Sequence, residues 1–336
     1  MVKAILYTAK EYLNNGVFNE NNTSLNRDNC LSPFHQLRRK LLEKDIELVT
    51  QDLCSLDDAK FVIYSDMPKV LPKVEHIKKS YLLMLESRHI KPQNWDAKKL
   101  SHFQKAFTWD DTLVDGDKFI KINYAYDLPN GIDTEISHKE KSCVMIVSNK
   151  RSNYPGELYS ERANTIRWFE KNHPDQFDLY GMNWNMFHFL GVLKPFNRIK
   201  FIRKLFAGKS YISYRGMVDS KKEVMSKYRF GICYENIKDQ KGYITEKIFD
   251  CFFAGCVPVY WGADNIGDYI PKDCFIDRRD FKDNQELYGF LSGVDDNSLS
   301  SYLNAIDKFL KSEKAEMFSR QYFANTIIEE IPGKDA

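Results

Sequence analysis

Residues 234–262 read YENIKDQKGYITEKIFDCFFAGCVPVYWG, and this stretch decides the fold. Its last part, Val257–Trp261, is a short run of β-branched and aromatic residues, the composition of a buried strand. Phe230–Tyr234 has the same character. Between them the spacing predicts a helix over Thr245–Ala254, with Ile248, Cys251 and Phe252 on one face, Thr245 as N-cap and Gly255 closing the end. Strand, helix and strand in this order form a βαβ unit of a parallel sheet. Glu235 and Asn236 follow the first strand, and Tyr243, Thr245, Glu246 and Lys247 open the helix. Ligands of open α/β sheets bind at such strand ends, and a helix N-terminus stabilises negative groups. Lys247 is the telling residue, because a cation at a helix N-terminus is disfavoured by about 0.3–1 kcal/mol. An anion against the same end, such as a nucleoside diphosphate, would explain it. A solvated capping turn would carry the same residue types.

Outward from this stretch, strands and helices alternate. Ala4–Thr8, Ile46–Thr50, Phe61–Tyr64 and Tyr81–Leu85 read as strands, and Phe103–Trp109 and Phe119–Tyr126 complete a first group. Ser32-Pro33 reads as an N-cap and first helical residue ahead of Leu37, Leu41 and Leu42. The turn LPNG at 128–131 and the polar run after it read as a linker. A second group begins with the strand Cys143–Val147. It continues through a helix over 157–171, a strand over Phe177–Tyr180, a short helix over 220–228 and the opening stretch. Two helices near 284–291 and 298–310 follow. Short apolar strands separated by helices indicate a parallel sheet covered on both faces, here two α/β units in tandem.

The chain has 336 residues, 43% hydrophobic and 29% charged, as expected of a globular protein of two ordinary domains. A formal charge of +2 gives no global field for nucleic acid or an anionic membrane. The seven cysteines are scattered without a CxxC, and the histidines are dispersed. Reduced, buried thiols in a cytosolic protein are expected, and no metal site. MVKAILYTAKEY at the N-terminus lacks the apolar core and cleavage site of a secretory leader. Cys251–Ala263, the longest weakly polar stretch, is too short to span a bilayer.

Three further places offer chemistry. Ser148-Asn149-Lys150-Arg151 follows a strand at the position that faces a ligand. Arg162 and Arg167 lie on the next helix, where an arginine can bind phosphate oxygens bidentately, and Tyr214-Arg215-Gly216 is a third basic candidate. In the N-terminal half, Glu86 ends the apolar run Tyr81–Leu85, where a catalytic carboxylate would be placed. A solvated loop glutamate would read the same way.

The cluster resembles the α-1,3/1,4-fucosyltransferases, glycosyltransferase family 10, in their bacterial form. That family's hallmark is Phe/Tyr-Glu-Asn, a short gap, Tyr-Val/Ile-Thr-Glu-Lys, then Ala-Gly-x-Val-Pro-Val/Ile-Tyr-x-Gly. The corresponding residues here are Tyr234-Glu235-Asn236, Tyr243-Ile244-Thr245-Glu246-Lys247 and Ala254 to Gly262. More loosely the resemblance covers about residues 141–290. Ser148-Asn149 is similar to the Ser-Asn after the first donor-domain strand, and Phe177–Gly181 (FDLYG) to the next strand and glycine. Arg162 resembles the arginine that binds the diphosphate, with Arg167 the runner-up. Glu86 sits where the family has its general base, although the family's Gly-Glu-Asn is here Leu85-Glu86-Ser87.

The resemblance implies an α/β fold of GT-B type, two Rossmann-like doubly wound domains facing a central cleft. Residues 1–130 would be the acceptor-binding domain, 131–140 a linker, 141–312 the nucleotide-sugar donor domain and 313–336 a helical tail. It implies inverting transfer of L-fucose from GDP-fucose to a GlcNAc or Glc hydroxyl of an oligosaccharide, α-1,3 ahead of α-1,4. Glu86 would be the catalytic base. Asn149, Arg162, Glu235, Asn236, Tyr243, Thr245, Glu246 and Lys247 would bind the donor, with Tyr243 against the nucleotide or phosphate. No cofactor or divalent metal is implied, since no Asp-x-Asp follows a hydrophobic run, and no nucleic acid. The expected location is the cytoplasm, with no integral membrane segment and with peripheral association at the inner membrane left open. Another GDP-deoxyhexose donor, or a glycan-binding protein that has lost the chemistry, remain alternatives.

Overall fold

The computed structural model describes residues 1–207 and 211–333. The chain divides into two compact units. The first comprises Met1–Leu128, Lys241–Tyr243 and Ser312–Ala336, and the second Pro129–Gln240 and Ile244–Lys311. The linker expected over 131–140 is thus counted with the second unit. Most of the expected tail belongs to the first, its last three residues lying outside the described ones.

The first unit is built on a parallel sheet of β1 (Val2–Tyr7), β2 (Ile46–Thr50), β3 (Val62–Ser65), β4 (Ser80–Met84), β5 (Lys105–Thr108) and β6 (Phe119–Lys121), in the order β2-β1-β3-β4-β5-β6. Side chains alternate across a strand, and here both sets are buried. Ala4, Leu6, Ile63, Tyr81 and Leu83 pack on one face with Leu37 and Leu41 of the helix Ser32–Leu42 and with Phe323, Ala324 and Ile327 of the helix Arg320–Glu330. Ile5, Val62, Tyr64, Leu82 and Met84 pack on the other with Leu100 and Phe103. Each of the larger aliphatic and aromatic side chains contributes about 1.5–3 kcal/mol by leaving water. The C-terminal helix therefore closes the first unit's core. The helix expected to be capped by Ser32 has Leu31 at the cap and no side-chain capping bond. Ser32 is buried in the first turn.

The second unit holds β7 (Lys141–Ile146), β8 (Phe177–Tyr180), β9 (Tyr228–Tyr234), β10 (Val257–Trp261) and β11 (Ile276–Asp277), all parallel, in the order β11-β10-β9-β7-β8. The helix Tyr159–Asn172 supplies Ile166 and Phe169, whose ring stacks on Phe177 at 5.0 Å. The helix Glu246–Phe253 supplies Ile248, Phe249 and Phe252. Phe252 meets Phe309 of the helix Asp296–Leu310 edge-on at 6.0 Å. From β7 the chain steps outward to β8, then returns to place β9 on the other side of β7. The C-terminal ends of β7 and β9 therefore flank the topological switch point, where this kind of sheet binds ligands.

All seven cysteines are free. Five are buried, Cys54 is half-buried and Cys30 is exposed, so burial holds for most of them. Burial pushes the Cys143 thiol up to about 12. Among the described residues no helix is long and apolar enough to cross a membrane.

Candidate active site

At the switch point β9 delivers Glu235 into a wholly buried position. A buried carboxylate is costly unless it is paired and hydrogen-bonded, and this one is both. The Thr245 backbone N–H donates to Oε1 at 2.8 Å and the Thr245 hydroxyl to Oε2 at 2.7 Å. Lys247 Nζ lies 3.1 Å from Oε2. Gly262 makes room, because a Cβ there would stand 2.5 Å from Glu235 Cγ.

These contacts revise two expectations. Thr245 occupies the N-cap in extended conformation but makes no side-chain capping bond, because its hydroxyl is turned to Glu235. The anion that accounts for Lys247 at this helix end is supplied by the protein itself. Lys247 Nζ also donates to Thr245 Oγ1 at 2.8 Å and to Glu246 Oε1 at 3.2 Å. Glu246 is the outermost member, its side chain 45% exposed. Burial works to raise its pKa, but the charges of Lys247 and Lys221 hold the carboxyl down at about 2.

Arg162, 3% exposed, joins the same cluster from the helix Tyr159–Asn172. One guanidinium nitrogen donates to the Tyr234 carbonyl at 2.6 Å and to Asn236 Oδ1 at 3.1 Å. The structure thus brings Arg162, Glu235, Asn236, Thr245, Glu246 and Lys247 together. It sends Arg167 elsewhere, to Glu170 at 2.8 Å and over the Tyr211 ring at 3.5 Å. Arg215 is bound to the buried Asp178 at 2.6 Å. Asn149, at the end of β7, donates its amide to the carbonyls of Asn183 and Met186, both at 3.0 Å. It fastens the loop after β8. Trp261, ending β10, has Arg278 and Lys238 over its ring at 5.5 and 5.7 Å, cations the sequence reading did not single out.

Tyr243 differs most from expectation. It belongs to the first unit and is 1% exposed. Its ring lies 4.7 Å from that of Trp109 and 6.1 Å from that of Tyr124. Gly242 beside it has φ +80°, and a Cβ there would meet the Trp109 carbonyl at 2.2 Å, so only glycine fits. The ring fills an aromatic cluster instead of lying open to a ligand.

Glu86 is exposed on the loop after β4, and its backbone is held from two sides. The N–H groups of Leu85 and Glu86 donate to Asp66 Oδ1 at 2.9 and 3.0 Å, and the Asn94 amide adds a third bond at 2.7 Å. The Leu85 carbonyl accepts from Trp109 Nε1 at 3.0 Å and from the Tyr124 hydroxyl. Burial pushes the Asp66 carboxyl up against the three hydrogen bonds that favour its charge. Asp66, Trp109 and Tyr124 were not singled out in the sequence. Asp66 adopts φ +62°, a turn conformation that Asp tolerates, and it follows β3 as Glu86 follows β4; that parallel was the available signal.

One histidine lies beside two carboxylates. Asp57, Glu75 and His76 bring one ligand atom each within 4.8 Å of one another. His76 Nε2 is paired with Asp57 Oδ1 at 2.9 Å, and both carboxylates are exposed.

Comparison with known proteins identifies the family. Residues 136–322 match the family model described as glycosyltransferase family 10 (fucosyltransferase) C-term. Over 75 residues the chain is 39% identical to the alpha-(1,3)-fucosyltransferase FucT of Helicobacter pylori, covering 22% of this chain and 15% of that one. Over 129 residues it is 36% identical to the 4-galactosyl-N-acetylglucosaminide 3-alpha-L-fucosyltransferase 9 of Mus musculus, covering 36% and 34%. The matches thus span well under two thirds of these relatives. A crystal structure of an alpha1,3-fucosyltransferase with GDP-fucose superposes with a TM-score of 0.53 at 13% identity, covering 98% of this chain and 89% of that one. The likeness carries the GT-B fold.

Proposed function

Since the chain belongs to glycosyltransferase family 10, we propose that it transfers L-fucose from GDP-fucose to a GlcNAc or Glc hydroxyl of an oligosaccharide. The α-1,3 linkage is favoured over α-1,4, and inversion is the stereochemical course. The observation that carries this reading is the Glu235–Thr245–Lys247–Glu246 network at the switch point of the second sheet.

Sugar transfer develops positive charge at the anomeric carbon and negative charge on the leaving diphosphate. The leaving group is best met by preorganised cations and dipoles. Glu235 and Thr245 fix the direction of Lys247, so its ammonium group is already aimed when the donor arrives. Glu246 is a partly exposed partner of that ammonium, and it releases Lys247 to the diphosphate while turning to the fucose hydroxyls. The Thr245 hydroxyl is committed to Glu235 and does not cap the helix, so the positive end of the helix dipole can meet the phosphate. Arg162 acts from beneath, holding Asn236 toward the donor. Glu86 takes the proton of the acceptor hydroxyl, a role worth about 10²–10⁴-fold. No metal enters this scheme, so chelation with EDTA leaves the rate unchanged. The reduced cysteines favour a cytoplasmic setting.

The experiment is incubation with GDP-fucose and a panel of Galβ1-4GlcNAc, Galβ1-3GlcNAc and lactose. Acceptor-dependent release of GDP with a fucosylated product is expected. Release of GDP from no acceptor, with saturable glycan binding, would make the protein a binder, and turnover of a different GDP-deoxyhexose alone would change the donor.

A further inference from the structure

Between Asp178 and Asp219 the sequence has no acidic residue and seven Lys or Arg. The same stretch holds more than half of the large hydrophobic side chains that the described surface exposes. It leaves the second sheet at Gly181, after β8, and is braced from within. Trp184 Nε1 donates to the Val147 carbonyl at 2.7 Å, and Arg203 Nε donates to the Phe187 carbonyl at 2.9 Å. The Phe189 ring meets those of Phe187, Phe196 and Phe206 at 4.8, 5.9 and 5.6 Å. These rings converge on the buried Phe189, with Phe196 and Phe206 still partly exposed. The outer face, over Gly191–Arg198 and Lys200–Leu205, shows Val192 94% and Phe201 76% exposed, with Leu193, Ile199, Leu205 and Phe206 beside them. Lys194, Arg198, Lys200 and Lys204 are exposed among these side chains. Among the described residues none of the four has an acidic partner within salt-bridge distance. Lys150 and Arg151 bring further positive charge, Arg151 lying over the Phe187 ring at 4.8 Å.

We propose that this excursion is a docking surface for an anionic lipid bilayer, its apolar side chains entering the headgroup boundary and its cations meeting the lipid charge. Interfacial segments combine these two features. A second copy of the chain would set like charges against each other across a two-fold contact. A nucleic acid would leave Val192, Phe201 and Leu205 in water. An anionic bilayer accommodates both the charge and the apolar surface, and the proposal is independent of the sugar transferred.

Sedimentation with vesicles tests it. Vesicles of three parts phosphatidylcholine to one part phosphatidylglycerol should bind the full chain on the order of tenfold more tightly than phosphatidylcholine alone, with the difference shrinking as salt rises. Phe201→Asp with Leu205→Asp should remove this binding without changing the affinity for GDP. A Lys194→Gln, Lys200→Gln, Lys204→Gln variant, which keeps every apolar group, should lose the preference for anionic vesicles. Equal binding to both vesicle types, or unchanged binding by both variants, would overturn the proposal. A lipid-free dimer that Phe201→Asp with Leu205→Asp dissociates would overturn it too, assigning the face to a second copy.

Discussion

The loop that carries Glu86 and the motif that carries Lys247 are two different ways to build half of a reaction. In the second unit the functional side chains hold one another. Glu235, Thr245, Lys247 and Glu246 form a continuous chain of contacts within 3.2 Å, all from residues 235–247. In the first unit the functional side chain is exposed, and the backbone that carries it is gripped by Asp66, which Asn94 steadies, and by Trp109 and Tyr124. The first arrangement fixes where charge will sit. The second fixes where a carboxylate is displayed while leaving it exposed to take a proton.

Breaking each half should give different signatures. The largest effect belongs to Glu86→Gln, which lowers kcat by about 10²–10⁴-fold, the contribution of a general base, while melting temperature holds. Full transfer by this variant would remove Glu86 from the base role. Glu235→Ala comes next. It leaves Lys247 half-buried without its main partner, at a cost of about 3–5 kcal/mol, visible as a lower urea midpoint, and it weakens GDP. An unchanged midpoint would mean that the pair is not structural. Tyr243→Ala should cost a similar ~3–5 kcal/mol by emptying an aromatic site, with Tyr243→Phe close to the parent in both stability and KM. A raised KM for the donor at constant stability would instead put the ring against the ligand.

Asp66 gives a smaller and more specific test. Asp66→Ala removes the acceptor for three N–H groups and should lower kcat at least tenfold with the KM for GDP-fucose preserved. Asp66→Asn keeps an acceptor oxygen and should recover most of the rate. Equal losses in both would point to the charge and not to loop geometry. The smallest effect is electrostatic. The Glu246 pKa is depressed in the folded state, so its stabilising contribution is present above the unfolded carboxylate range near ~4.3 and is lost as pH falls through about 2. Acid titration of Glu246→Gln beside the parent should show a gap of about 0.2–1 kcal/mol, the range of exposed pairs, closing below pH 4. A gap as large at pH 2 as at pH 7 would contradict the assignment.

The contrast also governs what the sequence reveals. Every strand of the second sheet except β11 is legible, because Val257–Trp261 and Phe230–Tyr234 are apolar runs bounded by turn residues, and so are the helices 246–253 and 296–310 at their apolar spacing. Ile276–Asp277 is too short to leave a pattern. The donor cluster is legible because its members lie within one strand–helix crossing. Its internal wiring is not: spacing alone does not show that Lys247 would be claimed by Glu235, or that Tyr243 would be folded into the first unit's aromatic core. The support of Glu86 is spread from Asp66 to Tyr124 across three strands, so no local window contains it. The C-terminal helix carries Phe323 and Ile327 at helical spacing, yet their partners Leu37 and Leu41 lie near the other end of the chain.

The division of labour between these two regions is tested most directly by calorimetric titration of GDP into Glu86→Gln and Lys247→Ala side by side. We expect Glu86→Gln to bind GDP as the parent does and Lys247→Ala to bind at least tenfold more weakly. Weak GDP binding by Glu86→Gln, or parent-like binding by Lys247→Ala, would contradict the assignment of donor binding to the 235–247 network and of proton transfer to Glu86.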